Sequence, residues 1–332
     1  SGDAHQDGDR CLVDHRCFGL MPIRPIEHGI FAGTGGAVAT AGFVGAGSSP
    51  GSRIVDKFAF SDDSRTTFAT GLATGNSQLA GMADSGVAGY ASGGELATGG
   101  RTTIVTKWVF ADDSRSTLGT GLSASTYLLA AAANSGVAGY TAGGNTGVYV
   151  DTVDKFAFPG DSRTTLTTGL SSARGYLAGA ANSGTAAYYG GGFTTGVGNL
   201  ATVDKFAFPG DSRTTLGTGL SLARYGLGAM ANSGTAAYFA GGLTGGNHDT
   251  VDKFAFSDDS RTTLGTGLSA ARRFIAGMAN TGTAGYYGGG TEVSNVTTVD
   301  KFAFPGDGRS TLGTGLSYTT FFAFGFANCG VL

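Results

Sequence analysis

Charge is scarce in this chain: only 14% of its 332 residues are Asp, Glu, Lys or Arg, and the formal net charge is −3. No basic cluster exists, which argues against a nucleic acid or an anionic membrane surface as partner. No apolar run reaches the roughly 18 residues that a spanning helix needs, so membrane insertion is not expected, and no secretory leader is visible. The chain starts at Ser1 without Met, which permits a removed leader. The three cysteines, Cys11, Cys17 and Cys329, lie at the two extreme ends. The four histidines are His5, His15, His28 and His248, and no pair has metal-ligand spacing on one element. No G-x-S-x-G elbow, P-loop or HExxH occurs, and no helix-length amphipathic segment interrupts the chain. Carboxylates lie mainly in repeated turns, so a dedicated acid/base pair would have to break the repeat. Glu27, Glu95 and Glu292 do so, without partners that mark them. These absences point away from an enzyme and from a metal or cofactor.

What remains is abundant glycine, 61 residues, with 41% hydrophobic and 11% aromatic content. That is too apolar for disorder, and the lack of a Gly-X-Y register excludes collagen. The hexapeptide VDKFAF stands at 55–60, 153–158, 203–208, 251–256 and 299–304, with a drifted copy, VTKWVF, at 105–110. Its first aromatics, Phe58, Trp108, Phe156, Phe206, Phe254 and Phe302, recur every 48 or 50 residues. Such a period means one supersecondary unit, repeated. Within residues 224–272 the unit reads as a small apolar strand (225–232), a Ser-Gly turn, an aromatic strand ending in Gly-Gly (235–242), a loop, the VDKFAF strand, an SDDS turn and an outer strand (261–269). Four strands with short turns pair antiparallel, and a sheet apolar on both faces has to be covered on both sides. The fold class expected is all-β, a β-propeller of four-stranded antiparallel blades forming a single domain over 1–332.

The order of Arg, small-residue strand, aromatic strand ending Gly-Gly, variable loop and V-D-x-F strand resembles the kelch repeat of β-propellers, from about residue 28 onward. The Trp that kelch repeats often carry at the start of the last strand is replaced by Leu118, Leu166, Leu216, Leu264 and Leu312, with Phe68. The wording "DKFAF.GDSRTTLGTGLS.AR" is also similar to repeat proteins of marine phage tails and bacterial surfaces. Kelch-like propellers include copper oxidases of the galactose oxidase kind, and the S-x-D turns resemble the Asp-box of sialidases. The histidines do not supply the nitrogen ligands that copper requires, however, and the Gly and Trp of the Asp-box are Arg and Leu here.

Six regular blades fill 28–317, the first starting with 29–36 (GIFAGTGG) as its inner strand. Residues 318–332 then begin another inner strand, and GDRCLV (8–13) and CFGLMPI (17–23) align with two outer strands. Seven blades are therefore expected, the last closed by both termini, with Cys329 placed to bridge to Cys11 or Cys17 in an oxidising compartment. The alternative is six blades, with 1–27 as an N-terminal arm and an unpaired C-terminal strand.

The loops after Gly-Gly and before each inner strand share one face of such a ring and vary from blade to blade, as a recognition surface does. Its candidate ligand-binding residues are Arg174, Arg224, Arg272, Arg273, Asn247, His248 and Tyr149. Asn76, Thr126 and Thr320 stand at the place of Arg224 in other blades. The opposite face carries uniform turns, whose Asp63, Asp113, Asp161, Asp211, Asp259 and Asp307 read as turn-shaping residues. The Asp–Lys of VDKFAF reads either as a ring of interblade ion pairs or as a ligand groove beside Tyr188, Tyr238 and Tyr286. A non-catalytic extracellular, cell-surface or virion propeller that binds a glycan or surface protein is the function expected. A structural unit assembling with its own copies or other assembly proteins is the alternative.

Overall fold

The computed structural model describes residues 40–45, 47 and 52–327. The chain divides into two compact units, Ser1–Ala37 and Val38–Leu332, and the described residues all belong to the second. Every described regular element is a strand.

Six four-stranded antiparallel sheets form the blades of a propeller. In blades 2 to 6 the strands follow one another outward from the axis. The inner strands are Ala80–Asp84, Ala130–Asn134, Ala178–Asn182, Gly228–Asn232 and Ala276–Asn280. The third strands are the VDKFAF copies, among them Val153–Ala157 and Val251–Ala255. Blade 1 is assembled from both ends of the described chain: Ala41–Gly45, Val55–Ala59 and Arg65–Thr67 are its outer three strands, and Phe324–Ala327 is its inner one, with Phe43 opposite Phe326. The inner strands neighbour one another in a closed circle.

This corrects the expected blade number. There are six blades, and the C-terminal strand is not unpaired, because it takes the inner place of blade 1. Phe324 and Phe326 hold that place by filling the wedge between blades 1 and 2, where Phe326 stacks on Phe43 at 5.0 Å and the rings of Phe324 and Phe326 lie against Trp108 at 6.2 and 5.9 Å. The segments 8–13, 17–23 and 29–36, and all three cysteines with their expected bridge, lie outside the described residues.

The core consists of six wedges between adjacent blades. Alternation along VDKFA aims Val251 into the wedge toward blade 6 and Phe254 into the wedge toward blade 4, so each sheet is apolar on both faces. The residues at the kelch Trp position, Phe68, Leu118, Leu166, Leu216, Leu264 and Leu312, are half-buried lids on these wedges.

At the centre of each wedge, an inner-strand side chain meets the second strand of the next blade, and volume is exchanged across the contact. Phe326 lies on Gly89, Met82 on Gly139, Met230 on Gly285 and Met278 on Gly42. Where the inner strand carries Ala132 or Ala180, the facing residue is Ala187 or Ala237. Large-on-glycine and alanine-on-alanine fill the same gap, as close packing demands.

Candidate functional site

The repeated polar residues join the blades on the turn face. Each turn Asp has left-handed φ of 49–58° and receives the VDKFAF lysine of the preceding blade, as in Lys107–Asp161, Lys155–Asp211 and Lys253–Asp307 at 2.6–2.7 Å. Five of these carboxylates also accept a tyrosine O–H at 2.7–2.9 Å, from Tyr90, Tyr140, Tyr188, Tyr238 and Tyr286. The same rings lie under the lysine at 5.3–5.4 Å and stack on the second VDKFAF Phe of the next blade at 5.1–5.3 Å. Burial, followed by the Asp hydrogen bond, pushes the phenols of Tyr90, Tyr140, Tyr188 and Tyr238 well above the ordinary tyrosine range. Tyr188, Tyr238 and Tyr286 are fully buried, so none of the three is presented to a ligand in the grooves between blades. The lysine partner is the turn Asp of the next blade rather than its VDKFAF Asp, which ties the two motifs into one latch. The Asn-Ser-Gly turns act alike: Asn134 and Asn182 accept Gly184 and Gly234 N–H of the following blade at 2.8 Å.

The arginines expected on the loop face are in fact interior. Arg174, Arg224 and Arg272 have fully buried side chains 2.8–3.0 Å from Asp204, Asp252 and Asp300, the VDKFAF carboxylates of their own blades. Each also reaches the carbonyl of Tyr189, Phe239 or Tyr287. The same carboxylates accept the N–H and O–H of Ser171, Ser221 and Ser269 in the linking segment, pinning it to the sheet. Blade 2 lacks the whole set, with Asn76, Ala73 and Thr106 in place of Arg, Ser and Asp. The three arginines are structural clamps because a guanidinium in the linking segment points inward to its carboxylate.

Two residues beyond each clamp position, the backbone turns left-handed around the axis at Gln78, Leu128, Tyr176, Gly226, Phe274 and Phe322, with φ of 56–69°. The N–H of each donates to the carbonyl of the equivalent residue in the preceding blade, at 2.6–3.3 Å, and the six bonds close a circle. Left-handed backbone costs a non-glycine residue about 1–2 kcal/mol. The circular bonds offset that cost and aim the five side chains over the channel mouth. Gly226 is the exception that the packing requires, since a Cβ there would lie 2.5 Å from the Phe274 ring. Beneath, the rings and a belt of Leu79, Leu129, Leu177, Leu227 and Ile275 enclose a cavity of about 70 Å³.

The outcome is one asymmetric aromatic surface. Tyr149, Phe193, Tyr225, Phe274 and Phe322 run in an unbroken chain with successive centroids 5.8, 5.9, 6.2 and 3.8 Å apart. Tyr176 sits inside the curve, 5.2–6.0 Å from Tyr225, Phe274 and Phe322. All these rings are half-exposed. At the outer end, Tyr149 borders a recess of about 330 Å³ with Asn145, Val148, Ala173, Thr194 and Thr195. Arg273 lies over Phe274 at 5.3 Å and bonds Asn247 Oδ1 at 2.9 Å, while Gln78 donates to Glu95 on the far rim. Among the residues expected from sequence, Tyr149, Arg273 and Asn247 thus belong to this surface. His248 is half-buried, its Nε2 3.4 Å from the Thr244 carbonyl. Tyr176, Tyr225, Phe193, Phe274 and Phe322 were not foreseen, although aromatics just before the inner strand of most blades were the signal.

Fold and geometry define the class: a six-bladed β-propeller with polar latches on one face and a single aromatic surface on the other. No known protein family matches the chain, and no curated protein is significantly similar to it.

Proposed function

We propose that this protein is a non-catalytic binding propeller that takes a glycan through the aromatic surface of its loop face. One observation carries the reading: six contiguous half-exposed aromatics and a recess of about 330 Å³ lie where the loops differ most between blades. Pockets of a few hundred Å³, lined by aromatic rings with a few placed polar groups, suit a small ligand. Sugar C–H faces stack on tyrosine, and Asn145, Thr194, Thr195 and the Arg273–Asn247 pair offer donors and acceptors for hydroxyls. Affinity per site would be modest, and display of many copies on a cell or virion surface would raise it. The likeness to kelch propellers and to phage-tail and bacterial-surface repeats belongs to the same reading. A second reading, a building block that docks other assembly proteins, is favoured by Val148, Val197 and Val293, which stand 69%, 74% and 104% exposed at three loop tips.

A glycan array followed by titration of any hit against Tyr225→Ala and Tyr149→Ala tests the proposal. Loss of ten-fold or more in affinity, with unchanged unfolding temperature, is expected. Binding that survives both substitutions, or no glycan binding at all alongside capture of a protein partner, would overturn it.

A further inference from the structure

We propose that blade 3 contains a binding site for one monovalent cation about the size of a water molecule, such as potassium or ammonium, seated on Asp154. In blades 4, 5 and 6 the corresponding carboxylate holds a buried guanidinium 2.8–3.0 Å away. Blade 3 keeps every other part of that arrangement. Asp154 is 4% exposed, its Oδ2 accepts Ser123 N–H and O–H at 2.7 and 2.8 Å, and its Oδ1 accepts Thr165 O–H at 2.6 Å. Only the arginine is replaced, by Thr126, whose hydroxyl donates to the Ala124 carbonyl at 2.9 Å. Arg163 Nη1 is the nearest described cation, 3.5 Å from Oδ1, and the corresponding Arg309 lies 3.9 Å from Asp300, which has its clamp arginine as well. Blade 2, by contrast, gave up carboxylate and arginine together.

The shorter side chain leaves a cavity of about 20 Å³ bordered by Asp154, Ser123, Thr126, Thr141, Thr146 and Thr152. A water-sized particle needs roughly 10–15 Å³ by this measure, so one such particle fits and a free guanidinium does not. The lining offers one carboxylate and several neutral hydroxyl oxygens. A divalent ion wants six or more oxygens and more negative charge, whereas one carboxylate balances one monovalent ion. A buried carboxylate gains from such a counter-charge for the reason that Asp204, Asp252 and Asp300 keep their arginines, whereas Asp56 of blade 1, with Thr320 at the arginine position, shares the blade 3 arrangement.

Thermal unfolding of the full chain at constant ionic strength, with tetramethylammonium chloride exchanged for potassium or ammonium chloride, tests this. A saturable rise of the midpoint is expected, equal to a ~10-fold change in the folding equilibrium at ten times the dissociation constant. Comparison of the two salts identifies the preferred ion. The rise should vanish in D154N. It should vanish also in T126R, which supplies the sister guanidinium in cis along Gly144, where a Cβ on the equivalent Gly192 or Gly242 would lie 3.3 Å from the arginine stem in blades 4 and 5. Indifference of the unaltered chain to the exchange, or a rise that survives in D154N, overturns the proposal. Crystals grown with thallium(I) give a second readout, independent of whether T126R folds. An anomalous peak at ~3 Å from Asp154 Oδ2 supports the site, and a map without one there refutes it.

Discussion

Replacing Gly285 by Ala places a methyl group against the sulfur of Met230, 2.5 Å from its Cε and 3.0 Å from Phe304 Cζ. Gly285 carries no left-handed φ, so the backbone accepts alanine and the whole cost is overpacking, about 1–3 kcal/mol. Replacing Met230 by Ala instead empties the centre of a fully buried wedge, at about 2–5 kcal/mol. The double variant recreates the Ala180–Ala237 contact that the neighbouring wedge already uses. Its cost should fall at least ~2 kcal/mol short of the sum of the two single costs, since each change removes the other's defect. Equilibrium denaturant unfolding of the four proteins, compared at equal m-values, measures this coupling. Additivity within about 0.5 kcal/mol would refute the claim that volume is exchanged across the wedge.

Three further outcomes follow from the ion pairs and latches. Arg224→Met leaves the Asp252 carboxylate buried without its counter-charge, at about 3–5 kcal/mol near neutral pH. Burial pushes Asp252 up, but Arg224, Thr263 and Ser221 together hold it below the ordinary carboxylate range, so its contribution is present above roughly pH 4 and lost as pH falls further. In the variant that pull is gone, so the deficit should shrink between pH 7 and pH 4, and an equal deficit at both would contradict the clamp. Phe43→Tyr should stabilise by about 0.5–1.5 kcal/mol in denaturant melts. It adds the missing latch hydroxyl to Asp113, whose side chain is 41% exposed against 17–28% for its five counterparts. Four latch tyrosines, Tyr90, Tyr140, Tyr188 and Tyr238, raised in the folded state, contribute fully below about pH 10 and lose that contribution as pH rises further. Their ionisation should therefore coincide with alkaline unfolding, and ionisation of these four in the folded protein near pH 10 would sink the assignment.

The repeat, the four-strand blade and the covering of both sheet faces were legible because VDKFAF, Gly-Gly and the turn residues recur at a fixed period. Blade number was not, because 29–36 and 321–327 both carry the pattern of an inner strand and local pattern does not rank them. The volume exchange would have ranked them: Phe326 needs a facing glycine, which Gly89 supplies, and Gly42 needs a large partner, which Met278 supplies. That pairing already closes a six-membered circle in the sequence. The arginines were misplaced for a different reason. Spacing put them in a loop-facing segment, but only tertiary geometry turns a long side chain inward to Asp204, Asp252 and Asp300. The aromatic surface was half legible, since Tyr149 and Arg273 stood out, while the circular hydrogen bonds that gather Tyr176, Phe274 and Phe322 depend on a left-handed turn that no residue type announces.

Every latched blade offers a lysine and a tyrosine on one flank and a receiving carboxylate on the other, so the contact between blades is heterologous and repeats by a rotation that closes. In that sense the chain is a ring-shaped hexamer whose subunits happen to be covalently joined. The peptide links fix the order of the blades, while the rule for joining them is written into each one. The seam in blade 1 is then only the place where this circle is cut.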